Sequence, residues 1–133
     1  MGESNVEIME RAYERFKATG ALKLALADPG FVWDMTNFAG WPEQLLYEGS
    51  DGGERFLAEW TAAWDDWQLE LDSIHEAGEK VVAVLRQRGR SKSTGLEVDM
   101  AFAQVWTMRG GRYARMEMYS DPERALADAG VPK

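Results

Sequence analysis

The chain has no cysteine and a single histidine, His75. Without thiols it has neither disulfides nor a thiolate nucleophile, and a zinc site built from Cys and His cannot be assembled. Basic residues are also short: 15 Lys and Arg stand against 23 Asp and Glu, for a net charge of −8. That balance argues against a nucleic-acid backbone or an anionic membrane surface as partner, because both are held by clustered Lys and Arg. No stretch approaches the roughly 18 consecutive apolar residues of a spanning helix. The opening Met1-Gly2-Glu3-Ser4-Asn5 is polar and acidic, unlike a signal peptide. These absences predict a soluble cytoplasmic protein with no nucleic-acid and no membrane partner. Also absent are a calcium-hand loop, the Gly-x-Ser-x-Gly elbow, the Gly-x-Gly-x-x-Gly fingerprint and a phosphate loop. No cofactor and no metal is therefore expected.

What is present fits one domain over residues 1–133. The length allows a real core without staples, and 45% apolar residues is ordinary for a globular chain. Six tryptophans in 133 residues is a high count. Trp combines a large apolar area with a polar N–H, which suits cavity walls as well as cores.

Ser4-x-x-Glu7 reads as a capping box. Behind it Val6, Met9, Ala12, Tyr13 and Phe16 recur at helical spacing, predicting a helix over 5–19 that Gly20 stops. Residues 21–27 read as a second short helix ended by Asp28-Pro29-Gly30. A short strand follows over 31–35, with Phe31, Trp33 and Met35 on one face and Val32 and Asp34 on the other. After a loop holding Gly40, Trp41 and Pro42 comes a short strand over 45–48. The next helix is opened by Asp51-x-x-Glu54, with Ser50 a competing cap, and Phe56, Leu57, Trp60, Ala63 and Trp64 on its apolar face. From Trp67 the period becomes two, with strands over 67–74, 81–88, 96–108 and 112–119. Gly110-Gly111 is a tight turn. Asp121-Pro122 starts a last helix that Gly130 ends. Short turns make the late strands antiparallel. The order predicts an α+β fold with helices packed on one face of an antiparallel sheet.

The run from Leu96 to Met108 carries the most chemistry. Its even positions (Leu96, Val98, Met100, Phe102, Gln104, Trp106, Met108) form an apolar stripe broken by Gln104. A buried amide without a partner costs about 1–3 kcal/mol, so Gln104 either marks a polar point in a hydrophobic cavity or bonds a neighbouring strand or Tyr13.

This layout resembles the nuclear-transport-factor-2-like superfamily, in its SnoaL-like branch. The carriers are the first helix ending at Gly20, Phe31-Val32-Trp33-Asp34, Tyr47-Glu48-Gly49, the strand 81–90, Ser93-Thr94-Gly95, and the stretch from Gly110-Gly111-Arg112 to Tyr119-Ser120-Asp121. The resemblance implies a curved antiparallel sheet wrapped around N-terminal helices to form a cone-shaped cavity, in a homodimer. It also implies cofactor-free proton transfer as in ketosteroid isomerases and polyketide cyclases, although some members have no catalysis. The isomerases' oxyanion-binding tyrosine lines up with Tyr13 and their general-base aspartate with Asp34. Their second oxyanion donor, a protonated aspartic acid, lines up with Gln104, which can donate a hydrogen bond but is not an acid.

Each residue also has a plainer role open to it. Asp34 is either a desolvated base or a strand-end Asp capping the loop at Thr36-Asn37. Tyr13 is either an oxyanion donor or a satisfied core tyrosine. Trp33, Tyr47, Trp60, Trp64, Phe102, Trp106 and Tyr119 are either walls of a substrate pocket or core. His75 is either a proton shuttle or a sheet-edge residue next to a turn, and Arg86, Arg88, Arg90 and Lys92 are either a site for an anionic substituent or partner or a solvated hairpin end. The leading expectation is an apolar small-molecule pocket performing isomerase- or cyclase-type chemistry on a carbonyl compound. The alternatives are a non-catalytic binding protein, and a dimeric scaffold whose cone is plugged by its own Trp and Met side chains.

Overall fold

A computed structural model describes residues 4–19, 30–38, 46–110 and 112–131. The expected helix over 21–27, the loop at 40–42 and part of the Gly110-Gly111 turn lie outside the described residues. The element order is α1 (Asn5–Thr19), β1 (Val32–Asn37), β2 (Leu46–Glu48), α2 (Gly49–Ala62), β3 (Trp64–Ala77), β4 (Lys80–Ser91), β5 (Glu97–Arg109), β6 (Arg112–Tyr119) and α3 (Pro122–Ala129). None of the described helices is long and apolar enough to cross a membrane.

The six strands form one curved, unclosed sheet in the order β2-β1-β6-β5-β4-β3. All neighbours are antiparallel except β1 and β6, which run parallel. This is the α+β architecture read from the sequence. The long strands β3 to β6 form a meander because the connections between them are short.

Local chemistry explains where the helices begin and what they bury. Ser4 Oγ accepts from the Glu7 backbone N–H at 3.1 Å and Glu7 Oε1 accepts from the Ser4 backbone N–H at 3.5 Å, the two bonds of the expected capping box. One stripe of α1, Met9, Ala12, Tyr13 and Phe16, is buried. The start of α2 differs from expectation. It begins at Gly49, with Glu48 in extended backbone at the cap position and no side-chain cap, so Asp51 lies inside the first turn. Trp64, read as the end of that helical stripe, instead opens β3.

The helices do not all share one face. Phe56 and Trp60 of α2 join α1, Trp33, Phe102 and Trp106 in the main core. The C-terminal α3 packs on the opposite side, covering Val82, Ala103, Val105 and Tyr119 with Ala125. The odd positions of β5 explain this. Ala103 and Val105 are apolar as well as the even stripe, so that part of the sheet needs cover on both faces.

Two register shifts shape β3, one between Asp65 and Gln68 and one between Leu71 and Ser73. At the first, Asp66 adopts φ 53°, rare for a non-glycine residue. The extra residue of a bulge resets the alternation. Trp64 and Trp67, three apart, therefore both pack on the core, as do Leu71 and Ile74 on either side of the second shift.

Candidate functional site

The helix α1 lies inside the curve of the sheet and brings Tyr13 to β5. Trp106 is a donor only, and its Nε1–H donates to the Tyr13 hydroxyl oxygen at 2.8 Å. Tyr13 in turn donates to Gln104 Oε1 at 2.6 Å. The amide is thereby oriented with its nitrogen the other way, where Nε2 meets Met118 Sδ at 3.9 Å. Gln104 and Met118 are direct cross-strand partners in the β5–β6 register. The lone amide of the apolar stripe is thus the middle of a buried chain, Trp106 to Tyr13 to Gln104 to Met118.

Burial raises the Tyr13 phenol far above its usual range, and the Trp106 N–H offsets only part of that. Tyr13 is therefore a neutral donor whose proton is already engaged by Gln104. To serve an oxyanion it would have to leave that amide.

Around this chain of bonds, Trp33, Phe56, Trp60, Phe102, Trp67 and Met118 enclose a small space, with Phe16, Leu57 and Leu69 beside them. The aromatic rings interlock: Trp33 lies 4.6 Å from Phe56 and edge-on to Trp106 at 5.7 Å, and Phe56 stacks on Trp60 at 5.7 Å. The free space left between them is about 20 Å³, room for roughly one water. Apart from Tyr13, none of the described residues lining this space is titratable.

Asp34 lies elsewhere. Its neighbours Trp33 and Met35 are in the core, and the carboxylate forms an ion pair with Arg115 of β6. It also accepts from the Thr36 backbone N–H at 2.8 Å and the Thr36 hydroxyl at 2.5 Å. The structure brings Tyr13 and Gln104 together and leaves Asp34 outside the lining. The reason is strand alternation: with Trp33 turned inward, its neighbour faces away. The Thr36 contacts match the plainer alternative of a strand-end Asp holding its own loop.

The aromatic candidates divide in the same way. Trp33, Trp60 and Phe102 line the free space. Trp106 stands behind Tyr13 and supports it. Trp64 packs against the core next to Trp60 at 5.9 Å. Tyr47 is buried, with its hydroxyl on Glu59 Oε2 at 2.8 Å. Tyr119 is turned to the outer face, where its hydroxyl reaches Asp128 at 3.2 Å. His75 meets Ser73 Oγ at 3.0 Å. Arg86 forms an exposed ion pair with Asp99 at 2.6 Å.

One buried polar residue escaped the sequence reading. Gln87 is 1% exposed and accepts from Trp67 Nε1 at 2.8 Å, while its own Nε2 has no partner among the described residues. The alternation Val81, Ala83, Leu85, Gln87 carried the signal, but the flanking Arg86 and Arg88 drew attention to the solvated face. Trp33 Nε1 is likewise buried without a partner among the described residues.

Residues 9–116 match the model of the SnoaL-like domain family. The chain belongs to that family. Solved structures agree on the fold. An NTF2-like protein from Burkholderia thailandensis E264 is 26% identical with a TM-score of 0.73, covering 98% of this chain and 100% of that one. TerC, solved with polyporic acid, is 24% identical with a TM-score of 0.70, covering 94% and 96%. A protein of ketosteroid isomerase-like fold from Catenulispora acidiphila DSM 44928, solved with trimethylamine, is 14% identical with a TM-score of 0.65, covering 91% and 93%. None of the curated proteins matches the chain.

Proposed function

We propose that this SnoaL-like protein binds a compact apolar molecule bearing a hydrogen-bond-accepting oxygen, such as a carbonyl compound, at the tip of its cone and without chemistry on it. The observation that carries the reading is the Gln104 amide. It is buried among aromatic rings, oriented by Tyr13, and among the described residues has only a thioether at its N–H. A thioether is a weak acceptor, so a ligand oxygen there would exchange a poor hydrogen bond for a good one. The unpartnered Trp33 N–H in the same lining adds a second donor. Both favour a ligand that brings acceptors.

Binding is favoured over catalysis by the lack of a base. Proton abstraction needs a group within hydrogen-bond reach of the proton, and no carboxylate or histidine is among the described lining residues. Isomerase- or cyclase-type chemistry keeps one supporting observation, the meeting of Tyr13 with Gln104. It would require Asp34 to leave Arg115 and Thr36 and reach the other face of its strand.

The test is a calorimetric titration of the full chain with acetophenone and cyclohexanone, repeated on Gln104→Leu. The tryptophans of the lining provide an independent fluorescence reading. We expect saturable binding by the native chain and about a tenfold weakening in the variant, equivalent to 1.4 kcal/mol. Equal affinity in the two proteins, or no binding of either ketone, would sink the proposal.

A further inference from the structure

We propose that Met118 is a displaceable stopper, whose thioether occupies the position at which a ligand oxygen would meet Gln104. This rests on the binding reading above and adds the residue that sets which molecules are admitted. Three observations converge on it. The hydrogen-bond order is fixed from one end: Trp106 can only donate, so Tyr13 must accept from it and give its own proton to Gln104 Oε1, which aims Nε2 at Met118 Sδ. Met118 is 1% exposed and directly opposite Gln104 on the neighbouring strand, so no other side chain stands between them in the sheet register. It also borders the free space of about 20 Å³, too small for anything but a water.

A ligand can therefore be admitted only if a lining side chain moves. Four large rings of that lining are locked. Trp33, Phe56, Trp60 and Phe102 are held in mutual ring contacts. Met118 takes part in no ring cluster. It has three rotatable bonds and a soft, adaptable side chain, and its contact with the amide is long at 3.9 Å. Swinging it aside opens volume and uncovers the N–H in one motion. A molecule with an acceptor oxygen replaces the weak contact that is lost, whereas a hydrocarbon of the same shape leaves the amide unpaired. Met118 thus couples admission to the presence of an oxygen.

The experiment compares the native chain with Met118→Ala in calorimetric titrations of cyclohexanone and its shape-mimic methylenecyclohexane. We expect the variant to bind cyclohexanone at least ten times more tightly than the native chain, with a smaller gain for the hydrocarbon. Equal ketone affinity in the two proteins would overturn the stopper and leave the binding reading standing. Equal gains for ketone and hydrocarbon would also overturn it, since Met118 would then be filling space without masking a polar point. Absence of ketone binding to both proteins would overturn both proposals. A second measurement is independent of how the variant folds. With the methionine ε-methyl groups labelled with carbon-13 in the native chain, cyclohexanone should shift the Met118 resonance, assigned from Met118→Leu, more than the other six. An unmoved Met118 methyl under saturating ketone would refute the displacement.

Discussion

Asp34 and Gln104 are two of the buried polar side chains, 7% and 8% exposed, and they are engaged in opposite ways. Gln104 is held by Tyr13 on the cone side, whereas Asp34 is held by Arg115 and Thr36. Asp34→Ala should therefore leave ketone affinity within about twofold of native and lower unfolding free energy by about 1–2 kcal/mol. That loss comes mainly from the Thr36 N–H left without its acceptor. The ion pair adds little, because Arg115 is 41% exposed and screened by water. Denaturant titration and calorimetry on one variant check both halves, and a tenfold loss of binding would return Asp34 to the site. Tyr13→Phe should act in reverse. It strips a partner from both Trp106 Nε1 and Gln104 Oε1 at once, costing about 1–3 kcal/mol of stability in a denaturant titration. Legibility at this scale followed the contrast of a residue with its surroundings. Gln104 was readable because a lone amide broke an apolar stripe. Asp34 was placed on the face opposite Trp33 by the same alternation, and its expected role as a base came from family alignment more than from its apolar strand. Gln87 broke a stripe too, but charged neighbours on both sides masked it.

Elements were legible where their ends carry their own chemistry. Ser4 with Glu7 and Asp121-Pro122 with Gly130 bound α1 and α3 as expected: Asp121 Oδ1 accepts from the Glu123 N–H at 3.0 Å, and Gly130 closes the helix at φ 85°. The start of α2 was misread because two plausible caps, Ser50 and Asp51, follow a glycine that begins the helix without either. The length of β3 was misread for a different reason. A bulge shifts the phase of alternation, so Trp64 and Trp67 cannot both fit a strict period of two. Two substitutions test these elements by chemical denaturation. Asp121→Ala removes the cap of the helix that covers Val82, Ala103 and Val105, and should cost about 1 kcal/mol. Gly52→Ala should also destabilise, by crowding rather than by loss of a bond. A Cβ there would lie 2.9 Å from the backbone carbonyl carbon of Tyr47, and backbone cannot yield as a side-chain tip can. If Gly52→Ala were neutral, α2 would not pack on β2 as closely as described.

At the scale of the whole molecule, both cores hold tyrosines that are better accommodated neutral than charged. Tyr13 and Tyr113 belong to the main core and Tyr119 to the outer cluster under α3. Burial raises each of them, and Tyr119 is pushed up from 10.0 to about 12, with the nearby Glu117 and Asp128 adding to the effect. A phenol that holds its proton more tightly folded than unfolded stabilises the fold fully below the unfolded pKa near 10. Above that the unfolded chain releases protons the native one retains, so stability falls as pH rises through the window from 10 to about 12. The native chain should show a denaturation midpoint that declines steadily across this range. Absorbance of the Tyr13 phenolate should appear together with loss of tryptophan burial rather than before it. Because the two cores share strands β4, β5 and β6, Tyr119→Phe should make the alkaline loss of the entire fold shallower, including the tryptophan signal from the cone. If that variant altered only the behaviour of α3 and left the cone's alkaline transition unchanged, the two sides of the sheet would unfold independently.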